Sequence, residues 1–497
     1  MREMERKSVL QRGTLLRLVG LLLVLWATRW LALDALPLHN DEGLHLTRAL
    51  AVWDGHPFWA ISDGKIVNHW LIAALVPQSA PVIAGRAATI LVALVGFSAG
   101  YTLLWRRFGE RAALLGGALW IAAPYLFFFE RLAFSDAQAG ALVVVTLWAA
   151  LTFTRSGRLR DAVLTGLALG VATLFKFTAA PYALGVLLVI ALAGDLSARV
   201  RWRGLAAIAV TGAACFVVPL AYVLVKEGGF ETAFGWLGGG GEGGALDNLR
   251  RLWSQLVGFQ GDVWAALLIG GLALFVALRP GGRDAGLLAL SWALPLLVIV
   301  VLGKEVQSRH FVVALPLALL LAGAGLSAGL ERLPRGAALP IGAVLIGVLA
   351  VQSGVVMRQA ARSPGDLILP VEIRTEHITQ HSAGFGLREA MRELPQTVGS
   401  PDEPIVASMF PDSCRRANFY APEGYALRCV TAPGLDALLA ALAESETVYV
   451  LVERAPVGLD PSTLEVPATQ VAAYPRPGET AEEASVTLWR VERAPDS

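Results

Sequence analysis

Along the first two thirds of the chain, apolar residues run together instead of alternating with polar ones. Each run is about as long as the 17–25 residues a helix needs to cross roughly 30 Å of hydrocarbon. The runs are Leu15–Leu33, Pro81–Trp105, Ala112–Phe129, Ala137–Phe153, Ala162–Phe175, Ala179–Ala193, Gly204–Val225, Val263–Leu278, Ala285–Leu302, Phe311–Leu330 and Ala337–Val356. This pattern predicts eleven crossings, the two around Lys176 being short. Beyond Val356 the period changes. "LREAMRELPQ" and "GLDALLAALAES" have helical spacing, whereas "PIVASMF", "TVYVLVER" and "SVTLWRVER" are short strand-like runs bounded by Pro, Gly and Asp. The sequence therefore predicts a polytopic α-helical membrane protein with a small C-terminal α/β domain. The expected division is 1–356 for the membrane part, with a first outer loop at 34–78, and 357–497 for the soluble part.

Polar punctuation sets the orientation. With the N-terminus inside, the inner connections are "RRFGER", "TRSGRLR", "DLSARVRWR", "RPGGRD" and "ERLPRG", each dominated by Arg, as the positive-inside rule requires. The C-terminal domain then lies outside the cytoplasmic membrane. An Arg/Lys-rich start before an apolar run also resembles a secretory signal. No A-x-A-like site precedes "LPLHNDE", so a retained first helix is expected.

Composition excludes a soluble globular chain: 55% hydrophobic and 16% charged residues, with a mean hydropathy of +0.58. A net charge of +1 gives no reason to expect a nucleic-acid partner. Of three cysteines, Cys215 falls in a span and reads as a packing residue. Cys414 and Cys429 share the outer domain and are a candidate disulfide.

The chemistry-bearing side chains gather at the outer ends of the spans. Asp41 and Glu42 follow the first helix; Glu130, Arg131 and Asp136 open the fourth; Lys176 ends a Gly-rich helix; Lys304, Glu305, Arg309 and His310 precede a Pro-containing apolar helix. The first loop adds Lys65 and two amphipathic stretches, with Trp53, Trp59 and Trp70 suited to headgroup depth. Carboxylates beside cations at one membrane face suit transfer from a phosphate-bearing lipid: cations neutralise the leaving phosphate and a carboxylate activates the acceptor. Plainer uses compete. The acidic pair suits a solvated helix start, Asp136 an N-cap, and the arginines and Lys176 interfacial anchors. "GWLGGGGEGGALDN" reads as a linker or a lid.

These motifs, in this order, resemble the membrane glycosyltransferases that use polyprenyl-phosphate sugars, of the GT-C type, with protein O-mannosyltransferases and bacterial lipid A aminoarabinose transferases nearest in pattern. The resemblance covers about Leu15 to Leu330. It implies that Asp41 is the catalytic base with Glu42 as its partner and Asp136 as a second acid. It also implies that Arg131, Arg309, Lys304 and His310 meet the donor phosphate, with Lys65 and Lys176 as further candidates. "GKIVNHWL" keeps Lys65 and Trp70 but lacks the paired prolines of the relatives. The implied activity is inverting transfer of a sugar to an extracytoplasmic acceptor.

A divalent ion is an open question. His39, Asp41 and His45 have no recognised ligand spacing, and Asp41, Glu42 and Asp136 are the oxygen ligands a hard cation would take. The alternatives are a transporter or flippase for a lipid-linked or anionic solute, for which no internal repeat is visible, and a lipid-binding accessory protein.

Overall fold

The structure, a computed structural model, describes residues 12–58, 65–193, 196–226, 244–303, 307–430, 435–454 and 459–493. Lys304 and most of the Gly-rich stretch lie outside the described residues, as does Trp59. The chain divides into two compact units. One comprises Met1–Leu33 with Arg48–Ala361, the other Asp34–Thr47 with Arg362–Ser497.

The first unit is helical. In chain order it contains α1 (Arg12–Trp30), then the later part of α2 (Asn40–Trp53), α3 (Ile66–Ala74), α4 (Pro81–Phe108), α5 (Glu110–Ala122) and α6 (Pro124–Phe129). After these come α7 (Ser135–Ser156), α8 (Leu159–Phe175), α9 (Tyr182–Ala191), α10 (Ala198–Lys226) and α11 (Ala245–Leu278). It ends with α12 (Arg283–Leu302), α13 (Ser308–Phe311), α14 (Leu315–Glu331) and α15 (Arg335–Arg362). Among the described residues, seven helices are long and apolar enough to cross a membrane, with α14 and Phe177–Ala191 as shorter apolar segments. The protein is thus a multi-pass membrane protein, with helix at every expected run.

Local sequence explains the departures from the expected boundaries. The single run Ala112–Phe129 breaks in two because Pro124 cannot donate a helical hydrogen bond and forces Ala123 to ψ 114°. In α11, Gly261 at φ 72°, ψ 165° interrupts the helix, so the apolar span proper is Gly261–Leu278.

Two sets of ion pairs mark the opposite ends of the helices. Arg107 and Arg155, from two connections expected on the inner side, both pair with Asp284 from a third, and Arg17 pairs with Glu110. At the other end, the fully buried Arg29 of α1 binds Glu130 at 2.8 Å. Trp120 Nε1 donates to the same carboxylate at 2.7 Å. A buried pair of this kind is stable only when its remaining polar atoms are also satisfied, and Arg29 further donates to the carbonyls of Trp120 and Ile121.

Without a hydrophobic drive between lipid-facing helices, close approach supplies the packing, and small residues make it possible. Gly96 lies against Ala141, Gly185 against Ser291, and Gly166 and Gly170 against α10.

The second unit contains a five-stranded sheet of β1 (Ile405–Ser408), β2 (Leu427–Val430), β3 (Thr447–Glu453), β4 (Ala468–Tyr474) and β5 (Val486–Glu492), in the order β2-β1-β3-β5-β4. β1 pairs parallel with β2 and β3, and β5 pairs antiparallel with β3 and β4. α16 (Val371–Arg374), α17 (Leu387–Thr397), α18 (Pro411–Tyr420) and α19 (Leu435–Glu444) complete the unit. Alternate residues of the central strands feed two cores. Ile405, Ala407 and Leu451 pack with α17 and α18, while Val406, Val448, Val450 and Val452 pack with α19. Cys414 on α18 and Cys429 on β2 form a disulfide with Cα atoms 6.0 Å apart.

Candidate active site

Asp136, Lys176, Arg309 and His310 meet where α7 starts and α8 ends. Asp136 is the second residue of α7, after Phe134 as the capping residue, so it does not itself cap the helix. It nevertheless lies in the first turn, where the helix dipole favours a carboxylate. Lys176 directly follows α8, extended at φ −157°, where a cation is favoured for the same reason. Its Nζ lies 3.3 Å from both carboxylate oxygens of Asp136. Asp136 also sits in the field of His310, Arg309 and Lys65.

His310 and Arg309 come from the short α13. The Gln307 N–H donates to His310 Nδ1 at 3.2 Å, which leaves the ring proton on Nε2. Desolvation first, and then the charges of Lys176, Arg309 and Lys65 against that of Asp136, push the His310 pKa down to about 3. The imidazole is therefore neutral at ordinary pH, with a donor at Nε2. Arg309 lies over the Phe134 ring at 5.8 Å. Gly140, one turn into α7, makes this convergence possible: a Cβ there would stand 3.0 Å from Val312 O and Val313 Cα, just after α13. His69 on α3 is likewise held neutral, at about 3, by desolvation and then by Arg48 and Lys65.

Arg131 has different company. Its Nε donates to Arg29 O at 3.1 Å, its Nη2 to Leu31 O and Ala32 O at 2.5 and 2.6 Å, and its guanidinium covers Phe127 at 4.6 Å. These bonds tie the end of α1 to the approach to α7. Thr89 and Gln138 reinforce that approach through Leu132 O. Sequence reading passed over Arg29, Thr89 and Gln138. A charged residue in the last turn of an apolar run, as in "LWATRW", is the signal that could have exposed the first of them.

In the second unit, Asp41 and Glu42 open α2. The carbonyl of His39 accepts from Gly43 N–H, which makes His39 the capping residue. The Asp41 N–H donates to His39 Nδ1 at 3.1 Å, and the His39 N–H donates to Glu42 Oε2 at 3.1 Å. This reciprocal pattern is a capping box with histidine in the serine's place. Glu42 is fully buried and used in this way, while Asp41 keeps partial exposure.

The irregular segment leading to the box is fixed by side chains that sequence reading missed. Arg388 donates to the carbonyls of Asp34 and Ala35, Tyr420 OH accepts from Leu38 N–H at 2.7 Å, and Arg416 donates to Leu38 O at 3.3 Å. Arg416 also reaches His381 O, Ser382 O and Ser413 Oγ. Desolvation lowers its pKa to about 10, so it stays charged at neutral pH. None of these arginines belongs to a recognisable motif. Only the folded chain brings them to the first loop.

Residues 65–222 match the family of dolichyl-phosphate-mannose-protein mannosyltransferases. A comparison with curated proteins gave no match. Among solved structures, ArnT from Cupriavidus metallidurans bound to undecaprenyl phosphate superposes with a TM-score of 0.61 at 16% identity, covering 97% of this chain and 98% of that one. The apo state of the same protein gives a TM-score of 0.59 at 15% identity, with coverages of 96% and 98%. The fold of this chain is that of ArnT over nearly its whole length.

Proposed function

We propose that this protein is an integral membrane glycosyltransferase that moves a sugar from a polyprenyl-phosphate donor to an acceptor on the extracytoplasmic side, with inversion. The observation that carries this reading is the set of Lys176, Arg309, Lys65 and the neutral His310 around Asp136, in a fold whose solved relative binds undecaprenyl phosphate. Residues 65–222, which match the mannosyltransferase family, include Lys65, Asp136 and Lys176. The family match and the shared fold do not favour the transport alternative.

In the proposed reaction the acceptor hydroxyl attacks the anomeric carbon as the bond from that carbon to the phosphate oxygen breaks. The hydroxyl proton passes to Asp41, and the polyprenyl phosphate leaves as an anion. Arg309 offers a planar fork of donors to that anion, His310 Nε2 offers one more, and Lys65 adds a point charge. Lys176 is shared between the phosphate and Asp136, whose carboxylate holds the ammonium in place. Arg131 is assigned to shaping the site, because three main-chain carbonyls already occupy its guanidinium. Asp41 receives the role of base from its place after the first helix and from its partial exposure, and Glu42 the role of setting the helix start that carries it.

A divalent ion does not fit Asp136, whose carboxylate lies among the cations Lys176, Arg309 and Lys65. Glu42 is likewise engaged in the capping box. No step is therefore routed through a metal. The Arg-rich connections support an orientation with the 357–497 domain outside the cytoplasmic membrane, and the Cys414–Cys429 disulfide suits such an oxidising compartment.

The test is release of lipid phosphate by detergent-purified protein from a mixed pool of polyprenyl-phosphate sugars, beside Asp41→Asn. Proton transfer by a positioned side chain contributes roughly 10²–10⁴-fold, so the variant is expected to lose at least about 100-fold in turnover. A wild-type protein that neither consumes nor binds any donor would overturn the reading. Full turnover by Asp41→Asn would remove that residue from the mechanism.

A further inference from the structure

The second unit holds a cluster to which the proposed transfer assigns no part beyond the place of His39 at the start of α2. His39, Glu376 and His377 each present one donor atom, all within 4.8 Å of one another. His39 Nε2 lies 3.4 Å from Glu376 Oε1, and the rings of His39 and His377 stack with centroids 4.5 Å apart. We infer that His39, Glu376 and His377 form a binding site for a borderline divalent transition metal, with Zn²⁺ as the best fit.

Ligand chemistry selects the metal. Two imidazoles and one carboxylate suit Zn²⁺ and its transition-series neighbours, whereas Mg²⁺ and Ca²⁺ prefer oxygen throughout. Zinc bonds to His nitrogen and carboxylate oxygen are about 2.0–2.2 Å, which in a tetrahedron puts ligand atoms about 3.3–3.6 Å apart. The His39–Glu376 edge, at 3.4 Å, already falls in that range. The other two edges lie within 4.8 Å and shorten by up to about 1.5 Å for all three atoms to reach one ion. Three protein ligands leave a fourth position for water.

The ligands are also held in place, as a metal site requires. His39 and His377 are buried, at 4% and 5% exposure, and Glu376 is partly open to solvent. Glu376 and His377 lie on a single π-helical turn, Thr375–Thr379, a geometry often found at functional sites. Ser382 Oγ donates to Glu376 O at 2.6 Å, and Arg416 bonds both Ser382 O and Leu38 O, next to His39. One buried guanidinium thus braces both walls.

Loading has a defined proton balance. Because His39 Nδ1 accepts from Asp41 N–H, the ring proton sits on Nε2, facing Glu376. When the metal takes the Nε2 lone pair, that proton moves to Nδ1 and the contact with the Asp41 N–H opens. No redox change or co-reactant is involved.

The test uses full-length protein purified through a histidine-free tag, stripped with chelator and dialysed against zinc, with bound metal measured by mass spectrometry. The expected result is one zinc per chain, an affinity weakened at least about tenfold in both Glu376→Gln and His377→Ala, and no change in His56→Ala, which alters an exposed histidine elsewhere. Glu376→Gln preserves size and hydrogen-bonding reach, so an unchanged metal-free melting temperature in that variant separates ligand loss from misfolding. Wild-type protein that takes up no zinc at micromolar concentration, or variants that bind like wild type, would overturn the site. The readout is metal content, so its failure is distinct from failure of the glycosyl-transfer reading.

Discussion

Lys176 stands 3.3 Å from each carboxylate oxygen of Asp136, forty residues away in sequence, and both side chains are largely buried. Removing one member of such a pair strands the other in a poorly solvated site, at about 3–5 kcal/mol. Lys176→Met is therefore expected to lower the melting temperature of the detergent-solubilised protein sharply. The Lys176→Met/Asp136→Leu double variant is expected to recover much of that loss. A double-mutant cycle on thermal unfolding measures the coupling.

Gly140 supports the same site from behind. Gly140→Val would press branched atoms into the backbone of Val312 and Val313, and overpacking of this kind typically costs about 1–3 kcal/mol. Relief by displacing α13 moves Arg309 and His310. The expected signature is a raised KM for the lipid donor with a smaller change in kcat, read from steady-state turnover.

His310 sets a pH dependence of definite sign. Its folded pKa, about 3, lies below the ordinary histidine value of 6.5, so the unfolded chain binds the additional proton between these limits. Its contribution to stability is complete above pH 6.5 and is lost as pH falls from there towards 3. His69 follows the same rule. Unfolding midpoints measured from pH 7 down to pH 4 are expected to drop less steeply in His310→Gln than in wild type.

Arg416 anchors the start of α2 through Leu38 O and the neighbouring turn through His381 O and Ser382 O. Each buried acceptor left without a donor costs about 1–3 kcal/mol. Arg416→Met is expected to destabilise the protein and reduce turnover together. Arg416→Lys is expected to rescue little, since an ammonium cannot reproduce the planar fork. Thermal unfolding and lipid-phosphate release on the same preparations check both parts.

The Cys414–Cys429 bridge closes a loop with a sequence separation of 15 residues, which in the chain-entropy account gives about 3 kcal/mol. Paired Cys414→Ser and Cys429→Ser substitutions are expected to lower the unfolding midpoint by a corresponding amount. Reductant should shift wild type but not the double variant.

Much of this architecture is written in the hydrophobic pattern. Long uninterrupted apolar runs become helices, because a backbone in hydrocarbon must satisfy its own polar groups and a helix does so within a single segment. The central strands β1, β3 and β5 were legible from their Val-rich alternation. β2 and β4 were not, since "LRCV" and "ATQVAAY" carry too little apolar contrast and become strands only beside their neighbours. Asp136, Lys176, Arg309 and His310 were each visible as charged or titratable residues at helix ends. That Lys176 is the partner of Asp136, that Glu42 closes a cap through His39, and that Arg131 serves the main chain were not visible, because spacing along the sequence gives no distance across the fold.

The sequence by itself determined that this chain enters a membrane, where its helices run, that a small α/β unit follows, and which residue types are available for phosphate chemistry. The tertiary structure decided which of those residues share a site, and it revealed the grouping of His39 with Glu376 and His377. The physical reason is range: hydrophobic periodicity acts over a single helix turn or strand, whereas an ion pair, a buried guanidinium or a set of metal ligands joins groups that only the packed chain brings within a few ångströms.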